Sequence, residues 1–151
     1  MNRPTTIARR SARGFTLIEI LSVLGIASVL SSLAWPSFQG GLHKARRADA
    51  LVALAQVQIA QERAYTNRRR YVGLADLRTP DRSSAGHYRL EVNAADDEGY
   101  VLIARATGSQ AGDASCRVLR VTVAGGSTLR SSGAGDDVAN DAAANRRCWG
   151  L

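Results

Sequence analysis

Hydrophobic residues take three successive spacings along this chain of 151 residues. From Phe15 to Trp35 ("FTLIEILSVLGIASVLSSLAW") nearly every position is apolar or small; from Ala48 to Glu62 apolar positions recur every three or four; after Tyr88 they alternate. The first pattern covers 21 residues, which as a helix would span about 31 Å, the thickness of a bilayer core. The second places Ala48, Leu51, Val52, Ala55, Ile59 and Glu62 on one side, with Arg46, Arg47, Asp49, Gln56 and Arg63 interleaved, and predicts an amphipathic helix ending near Thr66. Pro36 and the pair Gly40-Gly41 fall between the two patterns. They predict one long helix with a kink or local melting at its middle.

The third pattern predicts strands. In "HYRLEVNA", Tyr88, Leu90 and Val92 alternate with Arg89, Glu91 and Asn93, the signature of a half-buried strand. "DDEG" at Asp96 to Gly99 reads as a turn. "YVLIARAT" is too continuously apolar for its faces to be assigned, whereas in "CRVLRVTVA" Leu119, Val121 and Val123 alternate with Val118, Arg120 and Thr122. Gly125-Gly126 then mark a turn before a short "STLRS". Four strands joined by tight turns predict an antiparallel sheet laid on the amphipathic half helix, an α+β arrangement. The tail from Ser132 onward is poor in large apolar residues and lacks the means to order itself.

Charge and cysteines refine this outline. The net charge is +7, but Arg3, Arg9, Arg10 and Arg13 precede the apolar run; without them Lys+Arg falls from 20 to 16 against 13 Asp+Glu, leaving +3. So mild a balance does not by itself point to nucleic acid. Four arginines before the run, against Lys44, Arg46 and Arg47 after it, lean toward a cytoplasmic N-terminus. The two cysteines, Cys116 and Cys148, bridge only in an oxidising compartment, where closing that loop would contribute roughly 3.5 to 4 kcal/mol; two unpaired buried thiols are the alternative.

One residue breaks the first pattern. Glu19 lies inside the apolar run, where a charge costs on the order of 2.5 to 3.5 kcal/mol. A basic leader ending in Gly14, then "FTLIEILSVLGI" with a glutamate five residues on, resembles the class III signal sequence of type IV pilins and of the pseudopilins of type II secretion. The resemblance covers Arg13 to about Pro36 closely and the rest loosely. It implies a leader, 1–14, removed by a prepilin peptidase that cuts between Gly14 and Phe15 and N-methylates Phe15. It further implies a membrane and filament-core helix over 15–36, an amphipathic continuation over 37–68, and a globular head over 69–151 with a C-terminal loop bounded by a Cys116–Cys148 disulfide. Glu19 would then pair with the terminal amine of a neighbouring subunit and set the register of assembly, and Pro36 matches the family's helix-kinking proline. The alternative for Glu19 is a tolerated acid in a simple signal anchor.

No catalytic constellation emerges, and no cofactor or metal is expected. His43 and His87 are far apart, and no serine sits in a nucleophile elbow. Asp136, Asp137, Asn140 and Asp141 supply oxygen donors of the kind calcium takes, but not at EF-hand spacing, and solvated loop acids explain them as well. Arg68, Arg69 and Arg70, flanked by Tyr65 and Tyr71, and Arg146 and Arg147 beside Trp149, are candidates for holding DNA phosphates and stacking bases. Arginines at a helix end also complement the helix dipole. The expected function is that of a minor pilin in a type IV pilus, structural rather than enzymatic, supporting assembly, adhesion or twitching motility. Its partners would be other pilins, the peptidase and the inner membrane, with the head periplasmic before export. The rivals are a pseudopilin of type II secretion and a DNA-binding minor pilin for natural transformation.

Overall fold

The computed structural model describes residues 14–150; the basic stretch ahead of Gly14 lies outside the described residues. A first helix, α1 (Leu17–Arg68), carries both helical patterns without interruption. Its start is a capping box: Thr16 Oγ1 accepts from the Glu19 N–H at 3.3 Å, and Glu19 Oε2 accepts from the Thr16 N–H at 3.5 Å. Pro36, Gly40 and Gly41 are all helical, so the expected melting does not occur. Proline removes a single intrahelical bond, and the helical turns on either side carry the rest. The helix belongs to two compact units, one ending at Phe38 and one beginning at Gln39.

In the first unit no residue of α1 up to Phe38 is buried. Four of its serines satisfy themselves, as Ser22, Ser28, Ser31 and Ser32 donate to the carbonyls of Ile18, Gly25, Ala27 and Val29 at 2.7–2.8 Å. Those hydroxyls therefore ask nothing of an apolar surrounding.

In the second unit the apolar stripe is not the one the spacing suggested. Ala50, Ala53, Leu54, Val57 and Gln61 face the core; of the expected stripe only Leu51 packs against it, while Ala48, Ala55, Glu62 and, at 54% exposure each, Val52 and Ile59 face away. The two stripes are turned by roughly 150° on the helix. Both sides of this half carry apolar residues, and polar His43, Arg46 and Arg47 share the core-facing side, so periodicity alone favoured the wrong face.

The sheet has strand order β1 (Tyr88–Asn93), β2 (Gly99–Ala106), β3 (Val118–Ala124) and β4 (Ser127–Gly133), antiparallel throughout. Leu90 lies opposite Ala104, Leu102 opposite Val121, and Leu119 opposite Ser132. Tyr88, Leu90, Tyr100, Leu102, Leu119 and Val121 close the core with Leu54 and Val57. β2 reads as continuously apolar because its other face is covered too: Ile103 and Val118 are buried. On that face Asp136 pairs with Arg105 at 2.5 Å and accepts through its carbonyl from Arg120, so the chain after β4 folds across it.

Two glycine sites are required rather than tolerated. A Cβ on Gly99 would sit 2.0 Å from the Val123 carbonyl oxygen. Gly125 and Gly126, with φ of +53° and +77°, make the two-residue hairpin between β3 and β4, whose turn needs positive φ at both positions. The tail is ordered after all. Ser132 and Ala139 pair as an isolated bridge, and Asp141 caps a second helix, α2 (Ala142–Trp149), accepting from the N–H groups of Ala143 and Ala144 at 2.9 and 2.8 Å. Cys116 and Cys148 form a disulfide with Cα atoms 5.5 Å apart, which fixes the end of α2 to the sheet.

Candidate assembly helix and nucleic-acid surface

Gly14 and Phe15 precede α1 and are exposed, with open space where a Gly14 side chain would be. From there the first half of α1 presents apolar side chains on all sides: Phe15, Leu17, Ile18, Leu33, Trp35 and Phe38 are each 64–80% exposed. Glu19 has no cationic partner among the described residues; its hydrogen bonds are local, to Thr16. Such a surface is long and apolar enough to cross a membrane. It leaves its carboxylate to be compensated from outside the chain, because a charge in hydrocarbon needs a counter-charge or water.

The arginine groups of the head are held by different elements. Arg68 ends α1 and Arg69 takes the left-handed conformation (φ 55°) that terminates it. With Arg70 these side chains border a hollow shared with Asp96 and Asp97 of the β1–β2 turn, which the Tyr71 N–H grips through the Asp96 carbonyl at 2.7 Å. The flanking tyrosines are packed against each other, Tyr65 on Tyr71 with centroids 4.7 Å apart and Tyr71 on Tyr100 at 4.8 Å. Burial, reinforced by Glu62, pushes the Tyr100 hydroxyl up to about 12.

Arg146 and Arg147 occupy the last turn of α2 and are exposed. Trp149 is not free to stack: it is 8% exposed, with the Arg130 guanidinium 5.8 Å above its ring. Lys44 and Arg147 border one hollow floored by Cys148 and Trp149, and Arg130 borders another that Trp149 also lines. The two arginine groups are thus not one patch. The C-terminal one gathers Lys44 and Arg130, which spacing in the sequence did not associate with it.

Beneath this surface lies a polar cluster with no sequence pattern to announce it. Asp113, 6% exposed, accepts two bonds from Arg47, at 2.6 Å from Nε and 2.8 Å from the second terminal nitrogen. Arg47 also donates to the Arg147 carbonyl, so α1 holds the end of α2. Fully buried Gln110 donates to the His43 carbonyl at 3.1 Å and to the Tyr88 hydroxyl at 3.0 Å, and Tyr88 is held in its protonated form chiefly by burial. A second anchor is Asp49. Burial opposes its charge, but hydrogen bonds from Ser83 and from the backbone of Ala85 and His87 outweigh that and hold its carboxyl below the usual range.

The C-terminal acids have separate structural tasks. Asp136 pairs with Arg105, and Asp141 caps α2. Among the described residues no group of three or more His, Cys, Asp or Glu is placed to hold a metal ion.

Two family models match the chain. The one described as type IV minor pilin ComP, DNA uptake sequence receptor, covers residues 36–120, more than half of the chain, and the one described as prokaryotic N-terminal methylation motif covers residues 9–35. Among curated proteins, the chain is similar to the type IV major pilin protein PilA of Myxococcus xanthus (strain DK1622), 31% identical over 88 residues, which are 57% of this chain and 40% of that protein. It is also similar to the prepilin peptidase-dependent protein D of Escherichia coli (strain K12), 42% identical over 50 residues, 33% of this chain and 34% of that protein. The matched stretches therefore span well under half the length of either relative.

Proposed function

Because the chain belongs to the type IV minor pilin family, we propose that it is a filament subunit that enters a type IV pilus through the first half of α1. The observation that carries this reading is an apolar helix, exposed on every side and bearing one carboxylate without a cationic partner among the described residues, inside a methylation motif. In this reading a prepilin peptidase cuts between Gly14 and Phe15 and methylates the new amine. The helix waits in the inner membrane with the head periplasmic, and assembly brings the Phe15 amine of one subunit to Glu19 of another. Both ions are then compensated within the apolar filament core. Pro36, which lacks an N–H, is the point at which the helix bends on packing.

The test is direct. Mass spectrometry of the mature protein should find an N-terminus at methylated Phe15, and Gly14→Arg should leave the precursor uncut. Glu19→Ala should be cut normally yet fall more than about tenfold in sheared filaments, as expected when a desolvated ion pair loses one member. Normal filament content in that variant would refute the pairing.

A second reading is supported by the family description and by the free cations around Trp149: the head captures DNA. A mobility shift with the full-length chain in neutral detergent micelles tests it, and the absence of salt-dependent retardation would remove it.

A further inference from the structure

The sheet has two edges, and they are finished differently. At β1 the segment ahead of the strand lies alongside: the Ser83 N–H donates to the Tyr88 carbonyl at 2.9 Å, and the Leu90 N–H to the Asp81 carbonyl at 2.7 Å. At β4 the covering is confined to the far end, where Ser132 and Ala139 exchange bonds of 3.0 and 3.1 Å. Backbone groups of an antiparallel strand point alternately to its two neighbours, so Thr128 and Arg130 turn theirs outward as Ser132 does. Neither their N–H groups nor their carbonyls have a partner among the described residues, and Ser127 to Arg130 are all exposed. Edges are commonly closed by a proline, a bulge or a covering segment, and this stretch has none of them.

The two faces of the open stretch set what an added strand must carry. Leu129, 49% exposed, lies opposite Thr122 on the outer face. Arg130 lies opposite Val121 on the face toward α1, where it borders a hollow shared by Leu51, Leu54, Ala55 and Trp149. Among the described residues its guanidinium joins no ion pair, and the buried indole N–H of Trp149 has no acceptor. Two unanswered donors at one hollow match a carboxylate, and an exposed Leu129 matches an apolar residue across a strand pair. A second copy of the head does not offer this combination: β4 carries no acid, and the β1 edge is already bonded at Tyr88 and Leu90.

We infer that the open edge of β4, from Ser127 to Arg130, takes an extended segment of another protein in which acidic and apolar residues alternate. The segment adds a fifth strand to the sheet. Its backbone bonds to Thr128 and Arg130, its acids lie on the Arg130 side, and its apolar residues lie on the Leu129 side. The main-chain bonds supply affinity and the alternation supplies specificity.

The experiment is fluorescence anisotropy of a labelled peptide, Glu-Val-Glu-Val-Glu-Val, with the full-length chain in neutral micelles. This peptide should bind, and the same peptide with Lys in place of Glu should not. In the paired geometry the Glu nitrogens face β4 and the Val nitrogens face away. N-methylation of the Glu nitrogens should therefore weaken binding by at least about tenfold, whereas N-methylation of the Val nitrogens should leave it within about twofold. Thr128→Pro removes an N–H that no bond within the head uses, at a position where an edge strand accepts proline. It should weaken binding by a similar factor with the melt of the head unchanged; if the melt falls, the two methylated peptides decide. Arg130→Ala should weaken binding about two- to fivefold. Equal binding of the methylated peptides, undiminished binding by a Thr128→Pro chain that melts normally, tighter binding of the Lys peptide, or no binding overturns the inference. So does a concentration-dependent dimer of the chain that Thr128→Pro abolishes, which would give the edge to a second copy.

Discussion

The two halves of α1 meet the same problem, apolar surface, in opposite ways. From Gln39 onward the helix covers Ala50, Ala53, Leu54 and Val57 with the sheet of its own chain, and pins the following loop by two bonds between Gln61 and the backbone of Val72, at 2.6 and 3.1 Å. Up to Phe38 it covers nothing; four of its serines are satisfied within the helix, whereas the charge of Glu19 has no counter-charge among the described residues. The first arrangement supplies the stability of the head, and the second is left for other molecules. The core-facing half is also double-sided, since Val52 and Ile59 continue an exposed apolar line on its far side. Substitutions in the two halves should therefore be read by different measurements.

The largest effect is expected where the core-facing half carries a charge. Arg47→Met leaves the carboxylate of Asp113 buried without its partner, which should cost about 3–5 kcal/mol. A sharp fall in the melting temperature of the full-length chain in micelles checks it. Arg47→Met combined with Asp113→Leu should recover much of the loss, because the double change removes both desolvated charges. If the double variant melts no higher than the single one, the damage comes from losing the bond Arg47 donates to the Arg147 carbonyl and the bond Asp113 accepts from Gln110, rather than from charge.

Next is a paired comparison across the helix. Leu54 is 1% exposed, whereas Leu24 is 60% exposed. Leu54→Ala should lower stability by about 2–4 kcal/mol through the cavity it leaves. Leu24→Ala should leave the melt of the head unchanged and reduce the yield of filaments instead. Equal effects on melting would mean that the first half of α1 supports the head, contrary to the division drawn here.

How much of this was legible beforehand follows from the same division. Strands in which apolar and polar residues alternate announce themselves by spacing, which is why β1 could be read from Leu90 and Val92, and β3 from Leu119 and Val121 set against Arg120 and Thr122. Where both faces are apolar, spacing is silent: β2 is covered on both sides, and the stripe of α1 was assigned to the Val52–Ile59 side because each side offers an apolar series. α2 escaped notice because "AAANRR" has no apolar stripe; its marks were the terminal residues, Asp141 as cap and Gly150 in the left-handed conformation. The Gln110–Asp113 cluster had no mark, since a buried polar group is specified by its partners and not by a period. Glu19 was legible for the opposite reason, as the one acid in an apolar run, whereas Gly14 and Phe15 were marked only by the resemblance of their stretch to a prepilin leader.

A smaller effect is tied to pH. The hydroxyl of Tyr100, pushed up to about 12 by burial and by Glu62, stays protonated in the folded head after an unfolded tyrosine would ionise near 10. The sign follows from that order: its contribution is complete below about pH 10 and is lost as pH rises from 10 towards 12, up to about 2 kcal/mol. Tyr100→Phe should flatten the alkaline limb of a stability curve relative to the parent. An unchanged limb would show that the hydroxyl reaches water and that the tilted ring contact with Tyr71 is open.

The smallest expected effect concerns backbone rather than side chains. Ala94, between β1 and the β1–β2 turn, has φ of 48°, the left-handed region in which a Cβ is crowded. Glycine removes that crowding but adds freedom to the unfolded chain, so the two terms oppose each other. In the left-handed region the crowding of about 1–2 kcal/mol exceeds the entropic term of roughly 0.5–1 kcal/mol. Ala94→Gly should therefore raise stability by about 0.5–1 kcal/mol, seen as a melting temperature a few degrees higher. Ala53→Gly, buried in the core-facing half of α1, should move the other way by at least about 1 kcal/mol. A loss at both positions would mean that the turn after β1 holds Ala94 by contacts of its methyl group, and that backbone strain plays no part there.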